Sequence, residues 1–150
     1  MRYAIERQTF SVDILGNTIW TLLIIPRSSA TEFQRQGNQY ISLYLERQDG
    51  DDGPEEFRMN FELSLLDKDG FLLHSIEINE DEYAFSRYTS YGETYFVRRN
   101  KVLVERKAEY LPHDTLTVCC KMWKIQEGIR RDGRGYARIR IGIETVLLTV

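Results

Sequence analysis

Apolar and polar residues alternate one for one through most of this chain, a spacing that fits strands with one buried face and almost no helix. Phe57, Met59, Phe61, Leu63 and Leu65 alternate with Arg58, Asn60, Glu62 and Ser64. Ile41, Leu43 and Leu45 alternate with Tyr40, Ser42, Tyr44 and Glu46, and Leu116, Val118, Cys120 and Met122 with Thr115, Thr117, Cys119 and Lys121. Ala137, Ile139, Ile141 and Ile143 repeat the pattern with Tyr136, Arg138 and Arg140. Further strands are expected over residues 9–14, 18–25, 71–78 and 94–97. Turn chemistry falls between them: Leu15-Gly16-Asn17, the run Asp49-Gly50-Asp51-Asp52-Gly53-Pro54, and Asp67-Lys68-Asp69-Gly70. Residues 101–109 alone allow a short helical turn. Many short strands with frequent turns predict an all-β, antiparallel sandwich or barrel.

A chain of 150 residues fits one domain and buries about 70% of its unfolded surface without staples. Its 42% hydrophobic and 29% charged residues are those of an ordinary folded domain, which excludes disorder. The longest apolar stretch, Ile19 to Pro26, is far below the ~18 residues of a membrane helix, and no secretory leader pattern appears. No membrane partner is therefore expected. Cys119 and Cys120 are adjacent, so on a strand they point to opposite faces and cannot bridge without strain. One buried and one exposed thiol in a reducing compartment, nucleus or cytoplasm, is the expectation.

Charge is uneven. Net charge is −3, but residues 128–150 carry five Arg against one Asp and one Glu. The stretch 128–135 (GIRRDGRG) reads as a flexible basic connector into a last strand, so the chain divides into residues 1–124 and 125–150. That stretch lacks the interleaved exposed aromatics that single-stranded nucleic acid uses, so no nucleic-acid partner is expected.

Chemistry is hard to assemble. His74 falls in a strand and His113 in a turn, with no nucleophile elbow, phosphate loop or dinucleotide fingerprint. The cysteines lack the electropositive setting that activates a thiol, and the acidic runs 49–52 and 79–82 lack calcium-loop spacing and read as surface loops. No enzyme, metal or cofactor is expected. The nine Tyr and seven Phe are more informative. Tyr44 lies opposite the Ile41/Leu43/Leu45 face, Tyr83 follows an acidic run, and Tyr91 lies in a polar segment. Exposed Tyr offers rigid contact area and a hydroxyl, as recognition surfaces use.

Five blocks in order carry a family resemblance: residues 20–26 (WTLLIIP), 40–45 (YISLYL), 63–67 (LSLLD) with Gly70, Tyr91-Gly92 leading to Phe96-Val97-Arg98-Arg99, and 111–117 (LPHDTLT). They resemble the MATH (meprin and TRAF homology) domain, in particular the speckle-type POZ proteins and their arthropod TD-and-POZ relatives. The resemblance implies an eight-stranded antiparallel β-sandwich that binds extended Ser/Thr-rich peptides in a shallow aromatic groove. It further implies the substrate-recognition part of a POZ-type cullin ubiquitin-ligase adaptor, reaching the cullin only through a POZ domain absent from these residues. The family's groove aromatics carry over onto Tyr44, Phe61, Tyr83 and Tyr91, and the fifth position falls on Glu93. Strand parity places Phe61 in the core, whereas the resemblance places it in the groove, which a bend or bulge in the strand would allow. The family's first-strand pattern is not found, so that strand is expected to be missing or replaced by a C-terminal one. The second reading is a structural, self-associating sandwich, although the heptad coiled coil on which TRAF-type trimers rest does not appear.

Overall fold

The computed structural model describes residues 6–13, 16–26, 39–79 and 84–140. Ten strands are present: β1 (Glu6–Asp13), β2 (Asn17–Ile25), β3 (Tyr40–Arg47), β4 (Phe57–Arg58), β5 (Asn60–Leu66), β6 (Leu72–Ile78), β7 (Ala84–Phe85), β8 (Ser90–Arg98), β9 (Thr115–Gln126) and β10 (Ile129–Arg140). Eight of them form two antiparallel four-stranded sheets, ordered β1-β2-β3-β8 and β10-β9-β5-β6, and β4 pairs with β7 as a short ribbon. This is the expected sandwich, with its eighth strand supplied near the C-terminal end. Between β8 and β9 lie a π-helical turn (Lys101–Glu105), a one-turn helix α1 (Lys107–Tyr110) and a 3-10 turn (Pro112–Asp114), where the sequence allows its single helical stretch.

The alternating residues meet between the sheets. Leu22 and Ile24 of β2 and Ile41, Leu43 and Leu45 of β3 face Phe61, Leu63 and Leu65 of β5 and Leu116, Val118, Cys120 and Met122 of β9 in one continuous core. Each such side chain contributes roughly 1.5–3 kcal/mol by leaving water. Trp20, fully buried, has its polar edge satisfied in relay: Nε1 donates to Thr18 Oγ1 at 2.9 Å, and that hydroxyl donates to the Val12 carbonyl at 3.0 Å.

The two flanks of the sandwich are closed by opposite-sheet edges. On one, the Phe10 ring of β1 lies flat on Gly135 of β10, so close that a Cβ there would sit 2.4–2.5 Å from three ring carbons. On the other, His74 Nε2–H of β6 donates to the Phe96 carbonyl of β8 at 2.7 Å, and the two rings meet edge-on at 4.9 Å.

Three sequence expectations are corrected. Residues 128–135 are not a flexible connector: Glu127 and Gly128, with φ of 52° and 75°, make a tight hairpin turn, and β10 then pairs with β9 from Ile129 to Arg140. Two successive positive φ values match the right-handed twist of the flanking strands. Residues 141–150, where the sequence continues the last strand, lie outside the described residues. Cys119 is buried like Cys120, because its register neighbours Ser64 and Tyr136 flank it on the outer face of the second sheet. The acidic loop after β3 is at the surface at Asp49, Gly50 and Asp52, but Asp51 is not solvated with them. Its side chain is buried and takes two bonds from the Arg47 guanidinium, plus the backbone N–H of Ile19 at 3.2 Å and of Gly53 at 3.1 Å.

Candidate functional site

Strand β8 ends the first sheet, so among the described residues no strand pairs with its outer side. From Phe96 onward that side meets β6 through His74, so among the described residues the stretch from Ser90 to Tyr95 has no strand paired to it on that side. An open edge offers a row of backbone donors and acceptors to an added strand. Its approach to β3 depends on Gly92: a Cβ there would lie 2.1 Å from the Leu43 carbonyl oxygen and 2.7 Å from Tyr44 Cα. Only glycine lets the two backbones come so close.

Tyr91 stands opposite Leu45, so its side chain shares that residue's inward face. Its ring packs edge-on against Phe85 at 4.9 Å, and its hydroxyl donates to the Ala84 carbonyl at 2.9 Å. Phe85 is a hub, meeting Trp20 at 4.9 Å and Phe61 at 5.6 Å in the same edge-on manner. Phe61 itself is 1% exposed. The resemblance puts it in a groove wall, but the structure buries it in the core between the sheets. β5 keeps its alternation through Phe61, with Ile78 and Met122 as register partners, so nothing re-aims the ring.

Tyr44 lies opposite Gly92, on the other face of the sheet from Tyr91. Its hydroxyl lies 2.5 Å from Thr94 Oγ1, while Ser42 Oγ donates to the Thr94 carbonyl at 2.7 Å. The β3–β8 register slips between Ile41 and Leu43, so β8 carries a bulge at Thr94 to Phe96. Glu93 stands opposite Leu43, and its Oε1 accepts the Tyr95 N–H at 3.1 Å across that bulge. Tyr83 lies outside the described residues.

The structure therefore joins Tyr91 and Phe61 through Phe85, and places Tyr44 and Glu93 on β3 and β8 around the bulge. Sequence reasoning missed Phe85, Thr94 and Tyr95. Tyr95 is 39% exposed and packs edge-on with Tyr40 at 5.1 Å, directly beside Glu93. Its position two residues after Glu93 was the available signal, but the bulge breaks the parity that reveals exposure.

Acid–base or nucleophilic chemistry finds little here. Burial pushes both thiols upward, Cys120 well above the usual range, and for Cys119 this outweighs its contact with the Tyr136 hydroxyl and the charge of Arg134. Among the described residues, no three His, Cys, Asp or Glu are grouped to hold a metal ion, and no helix is long and apolar enough to cross a membrane.

Two antiparallel four-stranded sheets, with the Phe85 aromatic cluster packed beside β8, define an all-β sandwich. Over residues 2–122 the sequence matches the MATH domain, and the chain belongs to that family. MATH domains are protein-interaction modules, generally non-enzymatic.

Proposed function

We propose that this MATH domain binds extended Ser/Thr-rich segments of other proteins along the open edge of β8. It serves as the substrate-recognition part of a POZ-type cullin ubiquitin-ligase adaptor in the nucleus or cytoplasm. The observation that carries the binding mode is the stretch of β8 from Ser90 to Tyr95, which has no strand on its outer side among the described residues, bears Tyr91 and Glu93 and is approached by β3 at Gly92. An added peptide strand gains affinity from main-chain hydrogen bonds and register from alternate side-chain contacts. Hydroxyl-bearing residues suit the rim, where Tyr44 and Thr94 already share a hydrogen bond. The ligase role is supported by the five sequence blocks that resemble speckle-type POZ proteins, and the compartment by two unbridged thiols. A shallow edge buries little area and must order the peptide, so affinity is micromolar.

The test is fluorescence anisotropy of wild-type protein against an array of Ser/Thr-rich peptides, repeated with Tyr91→Ala and with the Tyr83→Ala/Tyr91→Ala pair. The proposal expects micromolar binders whose affinity falls at least tenfold in the pair, with the fold retained by circular dichroism. An array with no binder to folded protein contradicts it.

A further inference from the structure

The outer face of the second sheet, turned away from the first sheet, carries an ordered charge pattern. In register across the four strands stand Arg134 of β10, Lys121 of β9, Glu62 of β5 and Glu77 of β6. Arg134, Lys121 and Glu77 are exposed and Glu62 half-buried. The row therefore reads plus, plus, minus, minus. Aromatic area flanks it: Tyr136 in the next row is 51% exposed, its hydroxyl accepting from Arg134 Nη1 at 3.3 Å, and half-buried Trp123 in the row before lies under the Arg130 guanidinium at 5.3 Å. Pairing of β9 with β10 thus brings Trp123 and Tyr136 alongside the basic residues of 128–135.

We infer that this face binds the same face of a second copy of the chain, related by a two-fold axis that runs parallel to the strands between β9 and β5. That operation keeps each row in register. Arg134 then meets the second copy's Glu77, and Lys121 meets its Glu62, with both pairs formed twice by symmetry. A two-fold axis across the strands instead stacks Lys121 on Lys121 and Glu62 on Glu62, so the pattern selects one symmetry over the other. Stacked sheets lie ~10 Å apart and within about 30° of alignment, a gap that Arg, Lys and Glu side chains span. An isologous two-fold contact is the commonest way a chain pairs with itself. The four strands at ~4.8 Å spacing cover roughly 500 Å² per copy, near the low end of specific interfaces, so the dimer is weak and sensitive to salt.

The test uses the full chain in sedimentation velocity at concentrations on the order of 10 to 300 μM, and at low and high salt. Wild-type protein is expected to pass from monomer to dimer across that range at low salt and to remain monomeric at high salt. Lys121→Glu/Arg134→Glu makes the whole row negative, and Glu62→Lys/Glu77→Lys makes it positive. Each variant alone is expected to dimerise at least tenfold more weakly, and an equimolar mixture is expected to recover the dimer. Matching circular dichroism melts are expected to show that these substitutions leave the fold intact. Wild-type protein that stays monomeric at low salt overturns the inference, as do variants that dimerise like wild type or a mixture that fails to recover. A labelled oligouridine bound by monomeric wild-type protein, and lost only in Lys121→Glu/Arg134→Glu, assigns the basic half to nucleic acid and also overturns it.

Discussion

Arg47 and Asp51 form a doubly hydrogen-bonded ion pair in which neither side chain is exposed: Nε lies 3.1 Å from Oδ2 and Nη2 lies 2.8 Å from Oδ1. The pair fastens the loop after β3 to β2, since the same carboxylate also accepts the Ile19 N–H. Arg87 adds a longer contact at 3.6 Å. Gly53 completes the site, because a Cβ there would lie 2.6 Å from Thr18 Cγ2 and 3.0 Å from Arg47 Nη2.

Removing one partner of a buried pair leaves the other charge unpaired. Asp51→Asn is therefore expected to cost about 3–5 kcal/mol, whereas replacing exposed Asp69 by Asn costs under about 0.5 kcal/mol. Urea unfolding with fluorescence detection of the two Trp measures both. Equal stability of Asp51→Asn and wild type contradicts the assignment.

The same pair sets a pH dependence. Burial pushes the Asp51 carboxyl up, but the Arg47 hydrogen bond, the Ile19 and Gly53 N–H groups and the Arg47 charge outweigh it and hold it below its ordinary value. A carboxylate depressed in the folded state adds stability above the unfolded value of about 3.9, and that stability is lost as pH falls through the folded value. Wild-type unfolding free energy is expected to drop more steeply below about pH 4 than that of Asp51→Asn. Parallel pH profiles for the two proteins argue against this.

The β1–β10 flank predicts a coupling. Gly135→Ala drives a methyl group into the Phe10 ring and is expected to cost about 1–3 kcal/mol. In a Phe10→Ala background the same substitution costs under about 0.5 kcal/mol, since the obstructing ring is gone. A double-mutant cycle by thermal unfolding reads this directly, and additive losses speak against the contact.

Both thiols are buried and shifted toward the protonated, unreactive form. A disulfide exchange reagent at pH 8 is expected to label native protein at the rate of transient unfolding, and to label both cysteines promptly in urea. Prompt labelling of one thiol in native protein restores the expectation of one exposed cysteine.

Glu93 tests peptide selectivity. It supplies a carboxylate beside the open edge while its Oε1 holds the bulge through the Tyr95 N–H. Glu93→Gln keeps an acceptor but removes the charge. In a peptide series varied through Asp, Ser and Lys at one position, wild type is expected to favour Lys over Asp at low salt, and Glu93→Gln to lose that preference. Identical preferences in the two proteins place the carboxylate outside the contact.

The fold was legible because alternation reports which face is buried, and Ile41/Leu43/Leu45 against Tyr44 behave as parity requires. What escaped was set by contacts between distant segments. Asp51 is buried by a guanidinium four residues before it and a backbone N–H from β2, neither of which a run of acidic residues reveals. Cys119 has outer-face parity yet is covered by its neighbours in register on β5 and β10. Glu127-Gly128 is a hairpin turn that lacks the usual Asn-Gly or Asp-Gly, so β10 began earlier than expected. At the site, Tyr44 and Tyr91, expected to be exposed, are half-buried with both hydroxyls hydrogen-bonded, Phe61 follows strand parity into the core rather than the resemblance into a groove, and the bulge hid Tyr95.

The central claim is that peptides add to β8. The most direct measurement is amide hydrogen exchange, by NMR, of labelled protein with and without an array-selected Ser/Thr-rich peptide. The account predicts that protection rises among outward-facing amides between Ser90 and Tyr95, with no gain along β1 or β10. Binding that leaves those β8 amides unchanged while protecting the edge of β1 or β10 contradicts it.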